Sequence, residues 1–228
     1  MLSTTVDRAF IAANVAVEGQ KISDDNPANA LSRFEFLEIL VRLAQAKFKE
    51  TGLCSTFEES MTRLLDEFIF PLANPEPWQE FRDELLWTLD VNDVLEANLE
   101  GLKKVYTHYH EPRKKFMTMG DAMGLMMRDT NLGLIDKDAV YCFGMSKMSV
   151  ILEQDNMWQY KRMQFVEFLE LMGRIAHKKY PDHPDSHENL SLAQKIEHVL
   201  DSVLKLVDVT RKDVHTNVVE ESESDDEY

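Results

Sequence analysis

One stretch of this chain is written twice. Residues 35–48 and 167–180 align without a gap, and seven of the fourteen positions are identical, among them Glu35/Glu167, Glu38/Glu170 and Arg42/Arg174. Apolar residues fall at helical spacing in both copies; in the first, Phe36, Leu37, Leu40 and Leu43 share a face. Upstream, Phe10, Val15 and Val17 line up with Phe143, Met148 and Val150 once one residue is gapped. Each copy therefore reads as a helix, an interrupting loop and a second helix opening Glu-Phe-Leu-Glu. Neither copy can bury its apolar stripe alone, so the fold must pack helices in pairs.

The rest of the chain keeps the same period. Thr56 can cap a helix through Phe57, Met61, Leu64, Leu65 and Phe68 that stops before Pro71. A Pro-bounded linker precedes Trp78, and Asp90 opens a helix carrying Val94, Leu95, Leu99, Leu102, Val105 and Tyr106. Further helices are predicted near 118–129, 136–153 and 163–179. Ser191 caps a last one with Ile196, Val199, Leu200, Val203, Leu204 and Val207. No alternating run bounded by hairpin turns stands out. The expected fold is all-α, with roughly nine helices. It divides into an N-terminal half (1–73), a linker with a short helix (74–89) and a second half (90–180). A linker and amphipathic helix docking across the halves (181–213) and a tail (214–228) complete it.

Acidic side chains outnumber basic ones 41 to 25, a formal charge of −16. A field of that sign repels phosphate and no basic stripe offsets it, so nucleic acid is not an expected partner. Six of the acids and no base lie within 220–228, a composition that reads as a disordered tail. The tail is either solubilising or an electrostatic arm for a basic surface. Ser222 and Ser224, each with an acid three residues on, are candidate phosphorylation sites. No apolar run suits a signal peptide or a membrane span, and Cys54 and Cys142 make no pair motif. A cytoplasmic chain with reduced thiols and no membrane partner is expected.

Counted back twelve positions from Glu35, the first loop begins at Asp24 and resembles an EF-hand. Asp24, Asn26 and Glu35 match the first, third and last positions of D-x-[DN]-x-[DN]-G-x5-E, and are the candidate calcium ligands. Ala28 removes the fifth-position oxygen, Pro27 stiffens the turn and Asn29 replaces the glycine. Calcium takes about six to eight oxygens, so such losses lower affinity by orders of magnitude. A metal-free structural loop and a calcium site both remain open readings. The loop ending at Glu167 has Trp158 and Tyr160 where acids belong, and the loop before Asp121 carries Arg113, Lys114 and Lys115. Both read as metal-free.

Together with Trp78-Gln-Glu-Phe-Arg82, Leu86-Trp-Thr-Leu-Asp90 and Tyr141-Cys-Phe-Gly-Met-Ser146, the repeat resembles the degenerate EF-hand-like helical modules of protist flagellar and cytoskeletal proteins. The likeness covers roughly residues 5–213. It implies a non-catalytic structural or adaptor part of the ciliary axoneme or another microtubule assembly. Its partners would be proteins such as tubulin or axonemal components, with no cofactor unless calcium binds.

Ten of the twelve methionines lie between Met117 and Met172. Met119, Met123, Met126, Met127, Met145, Met148 and Met172 could line a groove for a partner helix, or for the chain's own last helix, or simply fill the core. His108 and His110 point to different helix faces, and His183 and His187 flank Pro184, so neither pair suits zinc. The basic run at Arg113 is either a solvated loop or a contact for an acidic surface. No phosphate-loop, dinucleotide, nucleophile-elbow or zinc-protease motif is present, and the expected protein is not an enzyme. The other classes kept open are a calcium-responsive sensor using loop 24–35 and an enzyme whose site only tertiary structure assembles.

Overall fold

The computed structural model describes residues 3–14, 29–73, 77–110, 113–182 and 189–215. These are helical, and among them β structure is limited to one isolated antiparallel bridge. Asp24, Asn26, His183, His187 and the acidic tail from 216 onward lie outside the described residues. In chain order the helices are α1 (Ser3–Ala13), α2 (Arg33–Ala44), α3 (Phe57–Leu64), α4 (Trp78–Glu80), α5 (Leu89–Ala97) and α6 (Leu99–Tyr109). Then follow α7 (Met119–Met123), α8 (Asp136–Ser146), α9 (Glu153–Asn156), α10 (Phe165–Lys179) and α11 (Leu192–Val203). None of the described helices is long and apolar enough to cross a membrane.

Four helices widen into a π turn at their C-terminal ends: α2 at Gln45–Lys49, α3 at Leu65–Ile69, α4 at Phe81–Leu86 and α7 at Gly124–Asp129. Bonds such as Phe70 N–H to Leu65 O (2.8 Å) and Glu50 N–H to Gln45 O (3.0 Å) give partners to carbonyls that a helix end otherwise orphans.

Two compact units result. The first comprises Met1–Glu76 with Val150–Trp158, the second Pro77–Ser149 with Gln159–Tyr228. In the first unit α1 packs on α2 through Ala9, Ala13 and Ile39, and α3 packs on α2 through Ala44, Phe48 and Leu64. These are two small clusters. The second unit has one continuous core in which Phe168, Leu171, Met172 and Ile175 of α10 meet Ile196, Val199 and Leu200 of α11. There α8 and α11 flank α10, and α6 reaches it through Tyr106 and Phe168, whose ring centroids are 5.5 Å apart.

The duplication therefore spans three helices. In each unit a middle helix (α2 or α10) carries an earlier one (α1 or α8) and a later one (α3 or α11). Ser32 before α2 and Gln164 before α10 occupy the same aligned position. Thr56 Oγ1 accepts from Glu59 N–H (3.1 Å) before α3, as Ser191 Oγ accepts from Gln194 N–H (3.3 Å) before α11. Leu65/Leu200 and Asp66/Asp201 are identities in that third pair, too few to draw the eye.

Three expectations change. The helix expected from Asp90 through Tyr106 breaks at Asn98, whose side chain bonds Val94 O (3.0 Å), Lys212 O (3.1 Å) and Lys212 N–H (2.8 Å). The helix expected over 136–153 stops at Ser146, because Lys147 turns extended and sends its ammonium inward. Of the linker with a short helix expected over 74–89, residues 74–76 lie outside the described residues, and 77–89 belong to the second unit, where Phe81, Arg82 and Leu86 are buried.

The isolated bridge pairs Met117 with Met163 through N–H···O bonds of 3.1 and 2.8 Å, and Tyr106 OH donates to Met163 O at 2.9 Å. Burial, assisted by the Glu167 charge, pushes the Tyr106 phenol from 10.0 up to about 12. The folded chain thus keeps a proton that the unfolded chain releases near 10.0, so this group's contribution is full below that pH and is lost as pH rises through about 12. Tyr106→Phe is expected to flatten the alkaline loss of stability by about 2 kcal/mol across that window. Urea unfolding on both sides of the window checks it.

Candidate functional site

Glu35, Asp121 and Glu167 each sit at the third position of a helix: α2, α7 and α10. Each carboxylate accepts the N–H of the residue preceding its helix: Ser32 (2.7 Å), Thr118 (2.8 Å) and Gln164 (2.7 Å). Three loop-closing acids thus have the same local task, satisfying an otherwise orphaned N-terminal donor. Glu35 is buried, at 3 % exposure. Its expected companions Asp24 and Asn26 lie outside the described residues. Among the described residues no three His, Cys, Asp or Glu side chains are grouped to hold a metal ion.

Glu167 has a second task. Its carboxylate also accepts Met148 N–H (2.8 Å) and the Lys147 ammonium, and Lys147 Nζ donates to Arg162 O (2.7 Å). Both side chains are nearly dry, at 5 % and 6 % exposure. Counted back twelve positions from Glu167, Arg162 holds the seventh position, where a calcium loop offers a backbone carbonyl, and Glu167 holds the twelfth. A lysine of the same chain thus takes the two oxygen types that an ion would take there. Burial holds the Lys147 ammonium below its usual pKa, although Glu167 favours the charge.

Beside this seat lies a buried triad. Glu170 accepts Arg82 Nε at 2.9 Å and Arg174 at 2.8 and 3.0 Å. Arg82 also donates to Met145 O and Lys147 O, and Arg174 to Trp78 O (3.1 Å). The Arg174 guanidinium lies 4.3 Å from the Phe81 ring centroid, and Leu86 presses on Gly173, where a Cβ would run into its Cδ1. The segment 78–86 therefore seals one face of α10. The aligned face of α2 carries Glu38 and Arg42, paired with each other at 2.9 Å (Nε–Oε1) with both side chains over 40 % exposed. Phe36 (52 %), Leu37 (56 %) and Val41 (37 %) stand open around that pair. At the aligned positions of α10, Phe168 and Gly173 are buried and Leu169 is half-buried.

The candidate methionines do not share one surface. Met126 and Met172 have no exposure and belong to the core of the second unit. Met119 and Met123 pack against that core from its edge, and Met145 is half-buried. Met127 and Met148 are exposed. Inside this unit α11 covers α10 with Ile196, Val199 and Leu200.

A polar cleft of about 600 Å³ is lined by His108, Tyr109, Asp121, Arg128, Asp129 and Leu206. Tyr109 OH donates to Asp129 Oδ2 at 2.8 Å, and Arg128 holds both carboxylate oxygens. Burial and the Asp129 hydrogen bond push the phenol pKa up, while Arg128 and Tyr109 hold the carboxyl down. The two groups are driven away from neutrality, the opposite of what acid–base chemistry requires.

Lys147 and Arg82 carry no sequence signal of their own. The Glu170–Arg174 pair did have one, since it is identical in both copies at a four-residue spacing. No protein-family model, curated protein or solved structure matches this chain.

Proposed function

We propose that this protein is a non-catalytic structural or adaptor component that holds protein partners through faces between its helices. The observation carrying this reading is the open face of α2, whose duplicate on α10 is sealed by residues 78–86. The likeness of the repeat to flagellar and cytoskeletal modules supports placement in the ciliary axoneme or another microtubule assembly, with tubulin or axonemal proteins as partners. The Met117–Met163 bridge, four residues before Asp121 and Glu167, supports a paired EF-hand-like arrangement of the two loops of the second half. The Lys147 seat supports a metal-free second half. Affinity purification of the tagged full chain tests the reading. Tubulin and axonemal proteins are the expected catch, and recovery of metabolic enzymes alone overturns it.

A second reading is a calcium-responsive sensor using Asp24, Asn26 and Glu35; the burial of Glu35 where the loop closes favours it. Calorimetric titration with calcium separates the two. A micromolar transition abolished by Glu35→Gln establishes the sensor, and a flat titration removes it.

A further inference from the structure

We infer that the open face of α2 docks a short helix of a partner protein that carries an aromatic residue, an arginine directly after it, and a small residue four positions beyond the arginine. The inference rests on the adaptor reading and names where and by what chemistry the partner is held.

The template is inside the molecule. On α10 the aligned face is occupied by a helical segment with those features: Phe81 against Arg174, Arg82 on Glu170, and Leu86 against Gly173. Two other neighbours of α10, namely α8 and α11, have counterparts on α2 in α1 and α3. Segment 78–86 is used once and already seated, so among the described residues the first unit has the receiving surface without its occupant.

The chemistry transfers residue by residue. Glu38 aligns with Glu170 and pairs with Arg42 as Glu170 pairs with Arg174. A carboxylate has about four lone-pair sites, so Glu38 can take a second guanidinium without releasing Arg42. The Arg42 guanidinium, solvated here, can accept an aromatic face as Arg174 accepts Phe81. One position differs. Val41 stands where α10 has Gly173, so a Leu86-sized side chain would collide and a small one fits. Specificity between the two faces thus lies at that position. The charge complementarity is local: the arginine of the docked helix meets the Glu38 carboxylate.

The probe is a labelled peptide of residues 77–88 with Leu86→Ala, stapled between its solvent-facing positions Gln79 and Asp83. Fluorescence anisotropy against the full chain should show saturable binding, weakened about 10- to 100-fold by Glu38→Arg, the loss expected for one charge-assisted contact. Peptide Arg82→Glu should bind Glu38→Arg better than it binds the parent chain. The parent peptide, with Leu86 kept, should bind more weakly than the Ala form. Glu38 is solvent-exposed, so the variant keeps its fold, and circular dichroism verifies this. Absence of saturable binding, or binding indifferent to Glu38→Arg, overturns the inference. So does a parent chain that sediments as a dimer and becomes monomeric on Glu38→Arg, since a second copy would then cover the face. Binding that appears only after deletion of residues 15–28 overturns it too, making the chain's own segment the occupant. If the peptide fails while axonemal proteins are still recovered, the adaptor reading stands and this face is wrong. If the charge swap works and no axonemal protein is recovered, this face stands and the axonemal placement falls.

Discussion

Glu170→Gln should destabilise the second unit by about 3–5 kcal/mol, whereas Glu38→Gln at the aligned position of α2 should cost less than about 0.5 kcal/mol. The two glutamates have the same sequence neighbourhood and the same helical register, and each pairs with an arginine four residues on. They differ in surroundings. Glu170 has no exposure and is the one carboxylate between Arg82 and Arg174, themselves nearly buried. Removing its charge leaves two guanidiniums in a dry site facing only carbonyl oxygens and aromatic rings, with no anion. Glu38 and Arg42 are in water, where an ion pair gains little and water replaces either partner. Thermal unfolding of the full chain followed by circular dichroism measures both, the first as a shift of roughly 10 °C in the second unit's transition. Equal effects at the two positions would show that the burial difference does not govern their energetics.

Lys147→Met is expected to cost a comparable amount, about 3–5 kcal/mol, because it strands the Glu167 carboxylate and the Arg162 carbonyl without their cation. Adding Glu167→Gln to Lys147→Met should recover a large part of that loss, since the double variant no longer buries an unpaired charge. A double-mutant cycle in urea reads the coupling directly, and additive losses would show that the two groups do not act together. Lys147 O also accepts Arg82, so the lysine joins the cation seat to the triad through its own backbone. Lys147→Met should therefore couple to Glu170→Gln as well, though less strongly than to Glu167→Gln.

The fold class was legible because a gapless repeat at helical spacing admits few other structures. The task of the loop-closing glutamates was not. A glutamate at the third position of a helix and one that ends a calcium loop stand in the same relation to the helix start, so spacing alone does not separate capping from ligation. The break at Asn98 is fixed by Lys212, which is 114 positions away; asparagine's preference for helix caps permits a break there without specifying it. Lys147 lies twenty positions from Glu167 in an unremarkable stretch, so its inward turn becomes visible only with the carboxylate in place. The reverse holds for α2. Its sequence reads as a core helix like α10, yet Phe36 and Leu37 stay over half exposed, because the covering segment occurs once in the chain and the helix it covers occurs twice.

That single cover for two like surfaces bears on how much of this protein a cell can tolerate. If the proposed partner helix covers α2, molecules made in excess of it would carry Phe36, Leu37 and Val41 uncovered on a unit held by two small clusters. Apolar surface of that kind is what quality control and self-association act on. Steady-state abundance would then follow the supply of the partner rather than the rate of the chain's own synthesis, and an assembly built from it would tend to set its own stoichiometry.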